Sequence, residues 1–436
     1  MRKVRAALCA VGILAVMTTA GCFRVSADEL YSLPQASEEY ILLQQELNNI
    51  LATGAVYSPP IAGSNRQSVQ LMDIDADGES EVLAFTRATG DKPLKIYVIE
   101  QKEGAFYQAD IIEGEGTAFE RVRYADMDGD GTLEIIVGRQ MSSALSYVSV
   151  YSVKGGVHSH LGSAEYAEFT TVEVEGGRSV LVVLRRATGE QPGEAEAFSL
   201  AADGEMIRAT TPLTKGLQNF ARVQSGRLRG NVPALFVEGA DSANKTVTDI
   251  LVLTDYGIDN IFEDAQVNKT SRDVAIYSTD VNKDGFMEVP LPRELKSQSD
   301  AKQYAIDWVA YVSTGEGTKV FTTYHNRSDG WFFILPDGWA ENLGVRRDDS
   351  VPGERTVIFS YVDPVTEEWT DFLRVYTLSG DNKFKRAAIS GRFRLAATDD
   401  VIYCAEVVAA SAGDITVSET MVTESFRPIY TDWSAS

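Results

Sequence analysis

One acidic pattern occurs three times in this 436-residue chain, and it constrains the fold more than any other feature of the sequence. Each copy has acidic or amide side chains at positions 1, 3 and 5, a glycine at position 6 and a glutamate at position 9. An apolar, strand-like run follows each glutamate. The copies are DIDADGESE at 73–81, DMDGDGTLE at 126–134 and DVNKDGFME at 280–288. Their agreement predicts a repeated structural unit rather than a chance cluster in an acidic chain.

Oxygen-bearing side chains this close together are typical ligands of calcium, a hard cation that takes about six to eight oxygens. The glycine allows the backbone to curl around the ion. An EF-hand would need a glutamate at position 12 and a helix behind it. Position 12 is instead Ala84, Val137 or Leu291, within strand-like sequence. We therefore predict up to three calcium ions, with metal-free acidic turns as the alternative.

The predicted ligands are the side chains at positions 1, 3, 5 and 9 and the carbonyl oxygen of position 7. They are Asp73, Asp75, Asp77, Glu79 and Glu81 in the first loop, Asp126, Asp128, Asp130, Thr132 and Glu134 in the second, and Asp280, Asn282, Asp284, Phe286 and Glu288 in the third. Asn282 keeps an oxygen but carries no charge. The third site is therefore predicted to be the weakest.

The pattern D-x-D-x-D-G-x-x-E before a strand resembles the calcium loop of FG-GAP/VCBS-type repeats, as in integrin-like β-propellers. The second loop matches fully, the first has Ala76 where glycine is usual, and the third departs at Asn282 and Lys283. The resemblance implies a mainly β protein containing a β-propeller. Each ion would join a loop to the first strand of a sheet.

The spacing of the loops fits a repeat. Asp73 and Asp126 are 53 residues apart, and Asp126 and Asp280 are 154 residues apart, close to three periods. Turn-and-strand segments at 172–184 and 223–239 fill the two intermediate positions and lack the carboxylates. Since four short strands in about 50 residues make one blade, we expect about five blades over 65–336, two of them without metal.

The first 64 residues predict an exported and anchored protein. Basic residues precede an apolar segment too short to span a membrane, which predicts a secretory signal over 1–21. The sequence ending at Cys22 resembles a bacterial lipobox, which implies a lipid on Cys22 and attachment to the outer face of the cytoplasmic membrane. The alternative is cleavage after Ala27 and secretion. A tether over 22–36 and a helix with its linker over 37–64 follow, and the helix is expected to brace the first blade.

The C-terminal region, 337–436, lacks the acidic loops. We predict a small α+β domain with longer strands and a final helix near 417–429. The F-x-L-P-x-G-W stretch at 333–339 resembles C-terminal domains of clostridial surface lipoproteins that carry such repeats. The alternative is that this region adds two degenerate blades and completes a ring of seven.

Charge and motifs narrow the function. A formal net charge of −23 argues against nucleic-acid binding, which needs a basic face. The sequence has no signature of a serine hydrolase, a zinc protease or a P-loop enzyme, and His158, His160 and His325 are predicted not to bind zinc. We expect a non-enzymatic binding or adhesion protein whose partner is an extracellular protein or glycan. The alternative is a hydrolase or lyase acting on an extracellular polymer, with structural calcium.

Overall fold

The computed structural model describes residues 38–189, 191–262, 268–298 and 302–429. The predicted signal, the tether and Cys22 lie outside these ranges. Within them the chain is mainly β, and its α-helices are α1 (Glu38–Ala52), α2 (Lys383–Ala387) and α3 (Glu419–Ser425). None of the described helices is long and apolar enough to cross a membrane.

Four antiparallel sheets follow α1 along the chain, and consecutive strands pair in each of them, except that β1 and β2 of the first sheet do not pair with each other. The first sheet contains β1 (Val56–Tyr57), β2 (Val69–Met72), β3 (Glu81–Arg87), β4 (Leu94–Lys102) and β5 (Ala105–Gly114), with β1 and β2 both paired to β3. The second contains β6 (Ala118–Ala125), β7 (Glu134–Gln140), β8 (Ser146–Lys154) and β9 (Val157–Tyr166). The third contains β10 (Glu168–Glu173), β11 (Ser179–Arg185), β12 (Glu194–Leu200) and β13 (Met206–Pro212). The fourth contains β14 (Asn219–Leu228), β15 (Val232–Ala240), β16 (Thr246–Leu253) and β17 (Ile258–Asn260).

Two five-stranded sheets complete the described chain, together with a short hairpin of β27 (Ser411–Ala412) and β28 (Ile415–Thr416). The fifth sheet contains β18 (Glu288–Leu295), β19 (Gln303–Tyr311), β20 (Gly317–Asn326), β21 (Trp331–Leu335) and β29 (Phe426–Pro428). The sixth contains β22 (Leu343–Val351), β23 (Glu354–Val362), β24 (Trp369–Ser379), β25 (Phe393–Ala397) and β26 (Val401–Val407). The segment 343–407 thus forms one sheet, whereas two additional blades would need two.

Consecutive sheets pack face to face, each pair around its own apolar core. Phe85 of the first sheet meets Phe119 of the second edge to face, with ring centroids 5.2 Å apart. Ile136 of the second sheet packs with Phe169 of the third in the next core. The central strands are apolar on both faces because both faces of each sheet are covered, by two sheets or, at the ends of the series, by a sheet and a helix. This serial packing is the kind that propeller blades use.

Helices cover the outer faces of the two end sheets. Leu47 and Ile50 of α1 pack against Val82 of the first sheet, which confirms the predicted brace. Ala387 of α2 packs beside Cys404 of the sixth sheet. Among the cores that the described residues form, none joins the first sheet to the sixth. Ring closure and the number of blades therefore stay predictions.

The C-terminal region shares an apolar core with the fifth sheet. Trp331 of β21 and Phe359 of β23 belong to one cluster, so the predicted boundary between 336 and 337 falls within it. The final helix is shorter than predicted, because α3 ends at Ser425 and β29 follows and pairs with β21. Phe426 enters the same core, with its ring centroid 5.6 Å from that of Trp331. Burial of this side chain explains why the segment continues as a strand.

Candidate metal centres

The three acidic loops occupy the same place in their sheets. The first joins β2 to β3 and the second joins β6 to β7. In both, the residue before the loop pairs with the glutamate at position 9, as Met72 with Glu81 and Ala125 with Glu134. The third loop precedes β18, and Thr279 makes the equivalent bridge to Glu288. Each loop therefore connects two antiparallel segments. The first two loops precede an inner strand of their sheet, β3 or β7, whereas the sequence predicted that each loop precedes the first strand.

The carboxylate at position 1 closes each loop by accepting a hydrogen bond from the glycine at position 6. The N–H groups of Gly78, Gly131 and Gly285 donate to an aspartate Oδ2 atom over 3.1, 3.1 and 2.9 Å. All three glycines have φ between 91° and 93°, in the left-handed region that side chains with a Cβ disfavour. The glycine is therefore what allows the loop to close around its first carboxylate.

The glutamate at position 9 is buried and points back into its loop. One carboxylate oxygen of Glu81, Glu134 and Glu288 accepts the N–H of the residue at position 2 over 2.7, 2.8 and 3.0 Å respectively. Glu81, Glu134 and Glu288 are 7%, 1% and 0% exposed, respectively. A buried carboxylate is costly unless further donors or a cation balance its charge.

Two of the loops gather three carboxylates within metal-binding reach. Ligand atoms of Asp73, Asp75 and Glu81 all lie within 4.8 Å of one another, and so do those of the equivalent three residues in the second loop, Asp126, Asp128 and Glu134. In the third loop position 3 is Asn282, whose amide group donates to Asp284 Oδ2 over 2.9 Å. The third loop therefore offers one carboxylate fewer.

Two buried carboxylate oxygens fit a cation especially well. Asp73 Oδ1 and Glu288 Oε1 are inaccessible to solvent and meet no hydrogen-bond donor in the described chain. An ionised oxygen in that position lacks compensation unless a positive charge lies beside it. Positions 1, 3 and 9 of these loops are therefore the residues that would hold a metal ion. Clustered carboxylates with backbone oxygens nearby are the donor set of calcium.

The aspartates at position 5 lie outside the three-carboxylate clusters. Asp77, Asp130 and Asp284 each use Oδ1 to accept the N–H of the residue two positions ahead, over 2.8, 2.8 and 2.9 Å. Asp130 Oδ2 also receives Lys154 Nζ at 3.2 Å. These carboxylates stabilise the turn. The loop pattern did not predict the contact with Lys154, which lies at the end of β8 and is brought close to Asp130 by the pairing of β7 with β8.

Burial and mutual repulsion change the acidity of the loop carboxylates. Burial, with the charges of Asp128 and Asp130, raises the pKa of Glu134 to about 7. Burial and the charges of Asp284 and Asp280 raise the pKa of Glu288 to about 7. The Thr132 hydroxyl and N–H, helped by Lys154, hold the pKa of Asp130 at about 2. Glu134 and Glu288 therefore exchange a proton near neutral pH.

Without metal, we expect the protein to lose stability as the pH rises. Glu134 and Glu288 have folded-state pKa values of about 7 against an ordinary 4.5, so the folded state holds more protons than the unfolded state between those values. Stability must then fall as the pH increases through that window. Thermal melts in chelator at about pH 5, 6, 7 and 8 measure this, with the same series in calcium as the control. A chelator series whose melting temperature climbs steadily would contradict the assignment.

The histidines do not assemble a metal site in the described chain. His158 lies on β9, where its Nδ1 contacts Asp110 Oδ2 at 2.7 Å. His160 Nε2 contacts Ser163 Oγ at 2.7 Å. Groups of three potential metal ligands occur, among the described residues, in the first two acidic loops. The predicted lipidation site, Cys22, lies outside the described residues.

The family comparison agrees with the loop geometry. Residues 73–137 match the model of the FG-GAP-like repeat, a segment that runs from the first acidic loop to the strand after the second. This match supports the repeat type for that part of the chain. No curated protein matches the chain significantly.

Two of the solved structures that match the chain are distantly similar to it. A protein from Lactobacillus plantarum is 9% identical with a TM-score of 0.29, and the match covers 72% of this chain and 86% of that chain. A hypothetical protein from Leishmania major is 9% identical with a TM-score of 0.20, covering 63% of this chain and 92% of that chain. Scores this low carry no argument about architecture or activity.

Proposed function

We propose that this chain is a calcium-stabilised, non-enzymatic binding or adhesion protein, held at the bacterial cell surface by a lipid. The observation that carries the proposal is the pair of three-carboxylate clusters, Asp73 with Asp75 and Glu81, and their equivalents in the second loop. They occupy matching hairpin connections of two sheets that pack against each other. An ion in each would fix a loop to a central strand.

The donor set favours calcium over magnesium. Calcium accepts six to eight oxygens in flexible geometry, whereas magnesium requires near-ideal octahedral coordination and retains several waters. Each loop offers several carboxylate oxygens and backbone carbonyls on a short irregular segment, which suits the larger ion. We assign the first two loops as the tighter sites and the third as the weaker, since Asn282 replaces a carboxylate there.

We propose that the serially packed sheets form a propeller of about five blades, followed by the α+β region. The FG-GAP-like match and the consecutive inter-sheet cores support this arrangement. Such an array places its loops at the rims of the sheets, where they are available to an extracellular protein or glycan. The ions would stabilise the display surface without taking part in chemistry.

The metal part of the proposal is tested by melting the purified protein in calcium, in magnesium and in chelator. We expect calcium to raise the melting temperature and magnesium to raise it less, because a ligand that binds only the folded state stabilises it by mass action. An identical melting temperature in calcium and chelator would contradict a calcium-stabilised fold.

The anchor is tested separately with Cys22→Ser. We expect this variant to move from the membrane fraction to the soluble exported fraction, while its calcium-dependent melting stays that of the wild-type protein. The thiol is the group of a lipobox cysteine that receives the lipid, and a serine hydroxyl does not replace it. If the variant stays in the membrane fraction as fully as the wild type, the lipid anchor is wrong.

A further inference from the structure

A cavity of about 430 Å³ lies between the first and second sheets, separate from the acidic loops. The first sheet contributes Glu113 and Gly114 at the end of β5, and the second contributes Arg139, Tyr147, Tyr151 and His160. Its volume falls within the range of about 300–1,000 Å³ that is usual for small-molecule sites. The lining combines aromatic rings with hydroxyl and charged groups, which suits a polar ligand of sugar size.

Arg139 gives this cavity its chemistry. The residue is 6% exposed, and its hydrogen-bond acceptors in the described chain are hydroxyl oxygens, Ser149 Oγ at 3.3 Å and Tyr151 Oη at 2.8 Å. Its guanidinium carbon also lies 5.4 Å from the centroid of the Tyr151 ring, a cation–π contact that does not neutralise the charge. Its Nε is buried and meets no acceptor among the described residues. A guanidinium has five N–H donors and is always charged, so a buried one normally pairs with an anion. Among the described residues, no carboxylate forms an ion pair with Arg139.

Arg185 in the third sheet shows the contrasting, internally paired arrangement. It lies near the end of β11, as Arg139 lies near the end of β7, the second regular strand of its own sheet. Arg185 pairs with Glu194, its cross-strand neighbour, at 2.8 Å and also with Glu196 two residues on. The equivalent neighbours of Arg139 are Tyr147 and Ser149. A carboxylate from outside the chain could take the place that the two glutamates fill at Arg185.

A chain of hydroxyl groups extends the polar wall of the cavity. Ser149 Oγ and Ser163 Oγ are 2.8 Å apart, and Ser163 Oγ lies 2.7 Å from His160 Nε2. Burial and the charge of Arg139 lower the pKa of His160, so its ring is neutral at pH 7 and its Nε2 can accept a hydrogen bond from the Ser163 hydroxyl. Tyr147 is 38% exposed at the mouth. These groups can bind ligand hydroxyls, and the tyrosine ring can cover a sugar face.

We propose that this cavity binds a carboxylate-bearing sugar of the hexuronate class, with Arg139 contacting the carboxylate. Guanidinium and carboxylate groups form paired, charge-assisted hydrogen bonds. Of the two acidic residues in the lining, Glu113 is already paired with Lys95 at 2.7 Å. The lining also contains Lys92, whose positive charge acts on Glu113 as well. The proposal rests on the binding role proposed above and names the class of glycan.

The experiment is a calorimetric titration of the purified, calcium-loaded full chain with glucuronate, and with glucose as the neutral control. We expect saturable binding of glucuronate and at least about tenfold weaker binding of glucose, the factor typical of losing one hydrogen-bonded charged group. Arg139→Gln should weaken glucuronate binding by a similar factor. Arg185→Gln, which removes the internally paired arginine, should leave the affinity unchanged.

A second variant keeps the test decisive if Arg139→Gln folds poorly. Tyr147→Glu places a carboxylate opposite Arg139, as Glu194 lies opposite Arg185, and should abolish glucuronate binding while the calcium-dependent melt stays normal. Absence of glucuronate binding, or equal binding of glucose and glucuronate, overturns the ligand class. If either result comes with a normal calcium response, this site assignment fails and the calcium-stabilised fold stands. Loss of the calcium response in the wild type would instead contradict the proposed function.

Discussion

Replacing Glu134 by glutamine will raise the melting temperature in chelator at pH 8 and lower it in calcium. Glu134 is 1% exposed and has a pKa of about 7, raised by burial, so at pH 8 without metal the folded protein carries a buried, poorly compensated charge. Glutamine removes the charge and keeps an oxygen for the Met127 N–H. In calcium the variant lacks one ligand of the ion and no longer binds it tightly. It therefore loses the stabilisation that bound calcium gives the folded protein, about 2–3 kcal/mol when the calcium concentration is about 100-fold above Kd.

A matched surface variant provides the control for the opposite shifts in melting temperature expected in chelator and in calcium. Glu294→Gln removes a carboxylate that pairs with Lys302 at 2.9 Å in an exposed position. Exposed ion pairs contribute about 0–1 kcal/mol, so its melting temperature should shift little and equally in both buffers. A Glu134→Gln variant that is destabilised by the same amount in chelator and in calcium would show that this glutamate does not bind the ion.

Replacing Glu238 by glutamine will destabilise the protein by about 3–5 kcal/mol, the cost of leaving one partner of a buried ion pair alone. Glu238 and Arg272 are 0% and 3% exposed, with Oε1 and Nη2 2.9 Å apart. Glu238 also accepts hydrogen bonds from Thr248 Oγ1 and from the N–H and hydroxyl of Ser278. The pair therefore fastens the segment leading into the third acidic loop to the fourth sheet. Urea unfolding measures the loss.

The double variant Glu238→Gln with Arg272→Met separates charge from packing. Removing both charges leaves no isolated guanidinium in the interior, so it should recover part of the stability lost in the single variant. Arg272 also donates to Thr248 Oγ1 and to backbone carbonyls of Thr270 and Ile276, so recovery should be incomplete. A single variant that costs less than about 1 kcal/mol, the range of a surface pair, would contradict this account of the segment.

The acidic loops could be predicted from the sequence because the residues that form the turn lie within one short stretch. Gly131 allows the turn, Asp126 closes it, and Glu134 begins the following strand. The same locality explains why a helix before the first sheet could be predicted. The role of Asp130 was harder to foresee, because an aspartate in a turn serves equally to accept backbone N–H groups or to bind a cation.

Contacts between distant parts of the chain could not be derived from local pattern. Glu238 and Arg272 are 34 residues apart in the sequence, and no local pattern around either residue predicts their pairing. Strand β29 pairs with β21, although all strands of the sixth sheet lie between them in the sequence. The local sequence near Val422 had predicted a helix that continued through the residues of β29. Arg139 resembles any strand arginine until its cross-strand neighbours are known. Register and sheet order supply the missing information.

Calorimetric titration of the purified protein with calcium tests the central claim most directly. We expect saturable binding with two tighter sites, at the clusters containing Glu81 and Glu134, and one weaker site at the loop containing Glu288. The titration should release protons near neutral pH, since calcium displaces them from glutamates whose pKa values are raised. Absence of saturable calcium binding would show that the loops are metal-free acidic turns and would contradict a calcium-stabilised fold.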